Sequence, residues 1–400
     1  MRRTTNFTAL LSIMIVCFVS SCNNRHLSPE EIHNYVFTVD SHTDTPMWFI
    51  RSEFDFGQRH DPIKDRSCVD IPRMEEGGLD AVFLAVFTSQ GERTDEAYDK
   101  VYAFANRILD SIESTADKNA ERTAIVTTPV EAYALEEEGR RALFIGVENG
   151  YPIGNDLSKI GMLYDRGARY ITLCHTRNNQ ICDSSADTTE HNGLSPFGEE
   201  VVKEMNRLGM MIDVSHISDS SFYDVIHLST KPVIASHSCA RAICDNPRNL
   251  TDDMLRSLAA NGGVIQLCIL SDYVKKPEPN PLRDSLRETV RTKFRGFEGL
   301  SDEEMKQARK EWYAIDSIAP RKLATVKDAV DHIDHIVAVA GIDHVGIGTD
   351  FDGGGGLADC RDVSQLPSIT KELVARGYST KDIKKIWGEN LMRVMAIVSA

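Results

Sequence analysis

Apolar runs alternate with amphipathic segments along most of the chain. The apolar runs predict β-strands, and they lie at Val36–Val39, Ala81–Phe87, Thr123–Val126, Leu143–Val147, Tyr170–Leu173, Met210–Val214, Val233–Ala235, Gly263–Leu267 and His344–Ile347. The segments between them carry apolar residues at helical spacing. They predict helices at Asp95–Glu113, Pro129–Glu138, Asp156–Arg166, Gly198–Leu208, Thr251–Ala260 and Val326–Ala340.

Repeated alternation of strand and helix predicts a parallel sheet covered by helices. About eight such units in 400 residues fit a (β/α)8 TIM-like barrel better than an open sheet. No G-x-G-x-x-G motif follows an early strand, so a dinucleotide-binding fold has little support. The charged, proline-rich segment Lys275–Arg321 predicts a helical insertion outside the barrel core. Two further helices, Gln365–Arg376 and Ser379–Ala396, are predicted after the last strand.

The first residues of the chain have the pattern of an export signal. Arg2 and Arg3 precede a mostly apolar stretch, Phe7–Val19, which is too short to span a bilayer as a helix. Small residues then lead to Cys22, and this end resembles a bacterial lipobox, although an ordinary cleaved signal with a nearby cysteine is an alternative. We expect residues 1–21 to be a lipoprotein-type signal peptide, residues 22–33 a tether and residues 34–400 the barrel, with its insertion near 275–321. The mature protein would be exported and anchored to a bacterial membrane through a lipid on Cys22.

Composition and charge narrow the class of protein. The chain is 42% hydrophobic and 26% charged, which is ordinary for a globular protein with a large core. Its net charge of −15 argues against a nucleic-acid partner, since binding a polyanion requires a basic surface. Nine cysteines contain no C-x-x-C pair, so a zinc-ribbon site is not expected. Most of them are interpreted as small buried hydrophobes.

Acidic and histidine side chains follow many of the apolar runs, at the strand ends where barrels of this kind place their active sites. Each one alone is more often a hydrogen-bonded structural residue. Together, the histidines at consecutive strand ends with carboxylates beside them predict a metal site; these residues are His42, Asp44, Glu148, His175, His216, His237, Asp350 and Asp352. A ligand set of three histidines, one aspartate and one glutamate from among these residues suits two divalent ions better than one. A glutamate from mid-barrel could bridge ions about 3.5–4 Å apart that share a hydroxide.

Six motifs in order resemble the membrane (renal) dipeptidases, which are amidohydrolase-like zinc metallopeptidases. They are DSHTD, GVENG, YITLCHTRNN with the following DSS, IDVSHIS, SHSCARAICDNPRNL and GIGTDFDGG. The resemblance implies a (β/α)8 barrel that carries two Zn²⁺ ions and cleaves dipeptides. It implies that one ion is held by His42 and Asp44, the other by His216 and His237, and that Glu148 bridges them. The usual H-N-D is H-T-D here, and Asn149 replaces a common glycine.

The resemblance also implies which residues act on the substrate. Glu148, His175 and Asp350 would be the catalytic residues, and His175, Arg248 and Asp350 would contact the dipeptide. A water shared by the two ions would attack the carbonyl carbon, while His175 stabilises the oxyanion. Asp350 would bind the free amine and relay a proton, and Arg248 would bind the terminal carboxylate through two parallel hydrogen bonds. A structural salt bridge is the alternative role for Arg248.

Other functions stay open at this point. The nearest is a binuclear hydrolase of the same fold that acts on another small amide or a lactone, such as an N-acyl amino acid. A solute-binding lipoprotein would not require five metal ligands at strand ends, and a catalytically inactive homologue would not require an intact ligand set. The sequence leaves undecided the preferred dipeptides, tolerance of D-residues, the metal used in the cell, disulfide pairing and the assembly, for which a homodimer is one option.

Overall fold

Nine parallel strands form the sheet in the computed structural model, which describes residues 27–50, 54–297 and 300–400. The strands are β1 Val39–Thr43, β2 Ala81–Phe87, β3 Thr123–Ile125, β4 Arg141–Glu148, β5 Ala168–Thr172, β6 Met211–Asp213, β7 Ile234–Ser238, β8 Val264–Leu267 and β9 Val345–Ile347. Eight of them are neighbours in the order β1-β2-β4-β5-β6-β7-β8-β9, and β3 pairs only with β4 at the side of this path. The expected signal peptide and Cys22 lie outside the described residues.

Hydrogen bonds between the two ends of the sheet nearly close it into a barrel. Thr43 pairs with Phe351 in parallel register, just beyond β9. The N–H of Asp350 donates to the carbonyl of His42 at 3.0 Å, and the N–H of Asp44 donates to that of Phe351 at 2.9 Å. The predicted (β/α)8 TIM-like barrel is therefore confirmed, with its seam beside two of the predicted site segments.

Helices surround the barrel and connect successive strands. They are α1 Pro29–His33, α2 Pro46–Phe49, α3 Ile71–Glu76, α4 Asp95–Lys118, α5 Pro129–Glu137, α6 Ser158–Asp165, α7 Pro196–Leu208, α8 Asp219–Leu228, α9 Asp252–Ala260, α10 Ser271–Val274, α11 Pro281–Lys293, α12 Asp302–Ile318, α13 Val326–Ala340, α14 Pro367–Ala375, α15 Thr380–Lys384 and α16 Asn390–Ser399. A π-helical turn, Lys385–Glu389, joins α15 to α16. Many begin at a serine or threonine whose hydroxyl accepts a backbone N–H of the first turn, as Thr94 does for α4.

Two strands lie further along the chain than the apolar pattern predicts. The first was expected at Val36–Val39 but occupies β1, and the seventh was expected at Val233–Ala235 but occupies β7. Both contain buried polar residues whose hydrogen bonds are made inside the barrel. In β1, for example, the Ser41 hydroxyl donates to the carbonyl of Ser236 at 2.6 Å. An apolar run cannot mark a strand of this kind, because its interior positions are polar.

The structure describes the end of the predicted tether and most of the predicted insertion. Pro29–His33, expected to belong to a tether, forms α1, in which Ile32 and His33 are buried; the folded part therefore begins before residue 34. The charged insertion contains α11 and α12, which share a small separate core around Val290, Phe294 and Ile315, and α10 lies just before it. Within the described ranges, no helix is both long and apolar enough to cross a membrane.

Candidate metal centre

Side chains from five different strands meet at the carboxyl end of the barrel. His42 lies in β1, Glu148 ends β4, His237 lies in β7, and His216 follows β6. The Glu148 carboxylate is the centre of the group: its oxygens lie 3.6 Å from Nε2 of His42, 3.1 Å from Nε2 of His216 and 3.5 Å from Nε2 of His237. Asp350, just beyond β9, is the fifth of these side chains. The barrel thus brings these five predicted residues to one point.

The possible ligand atoms fall into three overlapping groups, each with atoms within 4.8 Å of one another. The groups are His42, Asp44 and Glu148; Glu148, His216 and His237; and His42, His237 and Asp350. Glu148 belongs to two of these groups, one on each side of it. A carboxylate with one oxygen toward each group has the geometry that holds two cations close together.

Unsatisfied polar atoms show that the cluster fits a metal ion. Nε2 of His42, Oδ1 of Asp44 and Oε2 of Glu148 are buried and have no hydrogen-bond partner. Buried polar atoms without a partner are rare because each costs about 1–3 kcal/mol. Imidazole nitrogens and carboxylate oxygens are also the donors that zinc binds. The cluster therefore has free donor atoms of the right chemistry, pointed at one another.

Hydrogen bonds from behind orient two of the histidines. Nδ1 of His42 lies 2.8 Å from the hydroxyl of Tyr170, which donates to the carbonyl of Ser41 at 3.2 Å. The Tyr170 hydroxyl therefore accepts from Nδ1–H and directs Nε2 at the cluster, where the neutral form of the ring, the one that binds a metal, presents its lone pair. Gly146 is required for this arrangement, since a side chain there would overlap the Tyr170 ring.

His237 is oriented in the same way by a different chain of groups. The Ser236 hydroxyl donates to Oδ2 of Asp213 at 2.6 Å, and it lies 2.8 Å from Nδ1 of His237. It therefore accepts from Nδ1–H, and Nε2 of His237 again carries the lone pair. Asp213 itself is buried at the end of β6 and also accepts from Thr172 at 2.5 Å.

Burial and mutual charge set the protonation of the cluster. Burial lowers the pKa of His216 and of His237 well below the usual value; the charge of Arg248 lowers both further, and that of His42 lowers the pKa of His237. Both imidazoles are therefore neutral, which is the form that binds metals. Burial alone would raise the pKa of Glu148, but the charges of His42 and His175 hold it well below the usual value. The site thus keeps an anionic carboxylate beside the neutral imidazoles of His216 and His237. Burial would lower the pKa of His42 as well, but the charges of Glu148 and Asp44 outweigh it and raise that pKa to about 10.

Several backbones at the site are strained. His216, Asp350, Asp352 and Asn149 have φ values of 70°, 60°, 68° and 81°, a left-handed region that non-glycine residues rarely adopt. Such conformations cost about 1–3 kcal/mol each and cluster at functional sites. Asn149, at the position where glycine was expected, is held by hydrogen bonds: its amide donates to the carbonyl of Thr88 at 3.1 Å. His216 and Asp350 both belong to groups of possible ligands, so part of the strain lies within the cluster itself.

His175 and Arg248 lie at the edge of the cluster. Nε2 of His175 is 3.8 Å from Glu148, and its side chain is 27% exposed, whereas His42 is fully buried. The Arg248 guanidinium donates to the Ser238 hydroxyl at 3.0 Å and to the carbonyl of His237 at 2.9 Å, but its buried Nε–H has no partner. Among the described residues no carboxylate forms an ion pair with Arg248, so the structure does not support a structural salt bridge.

Comparison with known proteins identifies the family. The sequence model of the membrane dipeptidases, peptidase family M19, matches residues 28–400. This chain belongs to the membrane dipeptidase family. The resemblance predicted from six motifs is confirmed, and the protein is a metallo-dipeptidase by class.

Individual members of the family are similar over most of their length. The dipeptidase tcpJ of Claviceps purpurea is 30% identical over 379 residues, which cover 92% of this chain and 79% of tcpJ. The dipeptidase verJ of Clonostachys rogersoniana is 32% identical, with 89% and 83% covered. Among solved structures, the probable dipeptidase PvdM of Pseudomonas aeruginosa is 29% identical, covers 93% of this chain and 97% of its own, and superposes with a TM-score of 0.80.

The residues that support the cluster in this membrane dipeptidase were not predicted from the sequence. Tyr170, Asp213 and Ser236 all lie in strands and point toward the cluster from behind. A signal was present for Asp213, since an acid inside the apolar strand MMIDV is unusual unless its carboxylate is satisfied. Asp352, which the sequence placed among the candidates, points away: it accepts from the Thr45 hydroxyl at 2.7 Å and from the N–H of Cys68 at 2.7 Å.

Proposed function

We propose that this member of the family holds two zinc ions and hydrolyses the peptide bond of dipeptides. The observation that carries the proposal is the position of Glu148, whose carboxylate belongs to two groups of possible ligands. One ion would be held by His42 and Asp44 and the other by His216 and His237, with Glu148 shared. A metallo peptidase of Rhodobacter sphaeroides with the same fold (22% identity, TM-score 0.72) is bound to a phosphinate mimic of the dipeptide L-Ala-D-Ala. This supports a dipeptide as the substrate.

Side chains of this protein would position the metal ions and the carbonyl group of the substrate. Two zinc ions, when bound, acidify a water molecule and neutralise the negative charge that develops on the carbonyl oxygen. His175 lies at the edge of the cluster, where it can donate a hydrogen bond to that oxygen. Glu148 stays anionic and keeps the two groups of ligands at a fixed separation.

Asp350 and Arg248 would bind the two ends of the substrate. Burial, and the nearby charge of Glu148, raise the pKa of Asp350 to about 7 in spite of opposing His42. A carboxyl group with that pKa can both bind an ammonium and pass a proton to the leaving amine. The unpartnered Nε–H of Arg248 can donate to a substrate carboxylate. Recognition of both termini limits the substrate to dipeptides.

Elemental analysis together with a dipeptide panel tests this proposal. Protein lacking residues 1–22 should contain about two zinc ions per chain, since five ligands with one shared carboxylate suit a binuclear site. Chelation should abolish the hydrolysis of Ala-Ala, and added zinc should restore it. A preparation with one tightly bound metal and full activity would contradict the binuclear site.

We also propose that the enzyme is exported and attached to a bacterial membrane through a lipid on Cys22. The proposal rests on the lipobox-like residues before Cys22. Acyl chains there would be the anchor, so Cys22→Ser should move the protein from the membrane fraction to the soluble fraction. Cys17→Ser is the matched control, because Cys17 lies in the apolar part of the signal and should not affect attachment. Membrane attachment of Cys22→Ser would disprove lipidation of Cys22 as the anchor.

A further inference from the structure

A cavity lies beside the metal centre, between the insertion and the barrel. Its volume is about 680 Å³, and its walls come from α11, α12 and the loop Gly353–Gly356. Gly353 lies between the cavity and the ligand cluster: a Cβ atom on it would collide with carboxylate oxygens of Asp44 and Asp350. The cavity is therefore separated from the cluster by no more than this loop.

The lining of this cavity is strongly basic, although the protein as a whole carries a net charge of −15. Among the described residues that line it are five arginines and two aspartates: Arg66, Arg283, Arg287, Arg321 and Arg361, with Asp316 and Asp352. Asp352 is occupied by hydrogen bonds from Thr45 and Cys68. The cations therefore exceed the carboxylates that remain available inside the cavity.

Nearby carboxylates are already paired with three of the arginines. Asp316 accepts from Arg283 at 2.6 Å and from Arg66 at 3.0 Å. Asp272, outside the cavity lining, pairs with Arg321 at 2.7 Å. No carboxylate within the described residues forms an ion pair with Arg287.

Arg287 is a cation held in place without a counter-ion. Its guanidinium lies 4.8 Å from the centre of the Trp312 ring, and its Nε–H is buried and without a partner. The side chain of Arg283, which is 6% exposed, has a second buried Nε–H without a partner. Burial lowers the pKa of Arg287, and the charges of Arg283 and Arg321 lower it further. A partly desolvated cation beside like charges gains from binding an anion.

We propose that this cavity binds the carboxylate or phosphate group of a small organic anion, with Arg287 as its main contact. The volume is far larger than a single ion requires and falls in the usual range for small-molecule sites. The Trp312 ring packs against one face of the Arg287 guanidinium. The edge of the guanidinium stays free to donate two parallel hydrogen bonds to an anion.

The anion could be a separate molecule or part of the substrate. Asp350, proposed above to bind the free amine, contacts Gly353 at the wall of the cavity. An acidic side chain on the first residue of a dipeptide is therefore the substrate-borne source. This second source rests on the proposed dipeptidase function, whereas binding of a free anion does not.

Calorimetry and a substrate comparison with the variant Arg287→Gln test the site. Succinate and inorganic phosphate are the probes for a free anion, and at least one should bind the wild type about 10-fold or more tightly than Arg287→Gln. For a substrate-borne anion, kcat/KM for Glu-Ala relative to Gln-Ala should fall about 10-fold or more in the variant. Arg287→Lys keeps the charge but cannot donate two parallel hydrogen bonds. Its anion affinity and its substrate ratio should lie between those of the wild type and of Arg287→Gln.

Arg291→Gln is the matched control. It removes the same charge one helical turn further along α11, where Arg291 is exposed and lies 3.8 Å from Glu288. It should leave anion binding and the substrate ratio as in the wild type. The zinc content and Gln-Ala turnover of each variant report the proposed function separately. If neither probe binds in an Arg287-dependent way and the substrate ratio is unchanged in Arg287→Gln, the site does not exist.

Discussion

Glu148→Gln should lower kcat/KM for Ala-Ala by about 10³-fold or more and reduce the zinc content of the protein. Glutamine keeps the shape of the side chain, but its amide has one neutral oxygen in place of an anionic carboxylate. Glu148 lies within 3.6 Å of three buried imidazoles, and it belongs to two of the possible ligand groups. Among the residues that the structure describes, no other carboxylate belongs to the same two groups, so the loss should affect both ions.

Elemental analysis and steady-state kinetics on the same preparation measure this effect. Glu138→Gln is the matched control, because that glutamate is exposed and pairs with Arg140 on the surface. It should keep both ions and full activity. A Glu148→Gln enzyme that retains two zinc ions and wild-type turnover would show that another group bridges them.

Acetylation of the substrate amine should lower kcat/KM by about 30- to 150-fold, if Asp350 binds that amine. The expected loss corresponds to one charge-assisted hydrogen bond in the transition state, about 2–3 kcal/mol. Asp350→Asn keeps the size of the side chain and leaves the five proposed ligands, Glu148 among them, in place. It should retain both ions, lose most turnover and no longer distinguish free from acetylated dipeptides.

The ratio of kcat/KM for Ala-Ala and N-acetyl-Ala-Ala, measured in both proteins, is the informative quantity. Asp253→Asn makes the same chemical change at an exposed position on α9, where the carboxylate pairs with Arg256, and should keep the wild-type ratio. A wild-type ratio near one would favour the alternative hydrolase, which acts on N-acyl amino acids, and leave the metal centre unaffected.

The architecture could be predicted because most strands and helices bury one continuous apolar face. β2, for example, has the predicted bounds Ala81–Phe87, and all but its last residue are fully buried. β3 is an exception: its run predicts a strand like the others, yet the strand pairs only with β4. Which strands are neighbours depends on long-range hydrogen bonds that no local pattern records.

The metal-ligand candidates could be predicted because their residue types are unusual at strand ends. The residues that hold these ligands in place were missed because their types are common inside strands. A histidine or acid after an apolar run is conspicuous, so His216 and Glu148 could be selected. Tyr170 is not conspicuous, because a tyrosine in a strand is common and its role depends on the position of His42, which lies 128 residues earlier in the chain. Helix α8 was missed because its polar start, Asp219 to Ser221, conceals the apolar residues Phe222 and Val225 that follow.

The seam between β1 and the segment after β9 has a consequence for the order of folding. His42 and Asp350 are joined by a backbone hydrogen bond, although more than three-quarters of the chain lies between them. Contacts of such long range form late, because the loop they close is costly in entropy. The ligand cluster cannot be complete until the barrel closes, so a chain that is exported unfolded would acquire its metal only on the far side of the membrane. The choice of metal would then depend on which ions that compartment supplies.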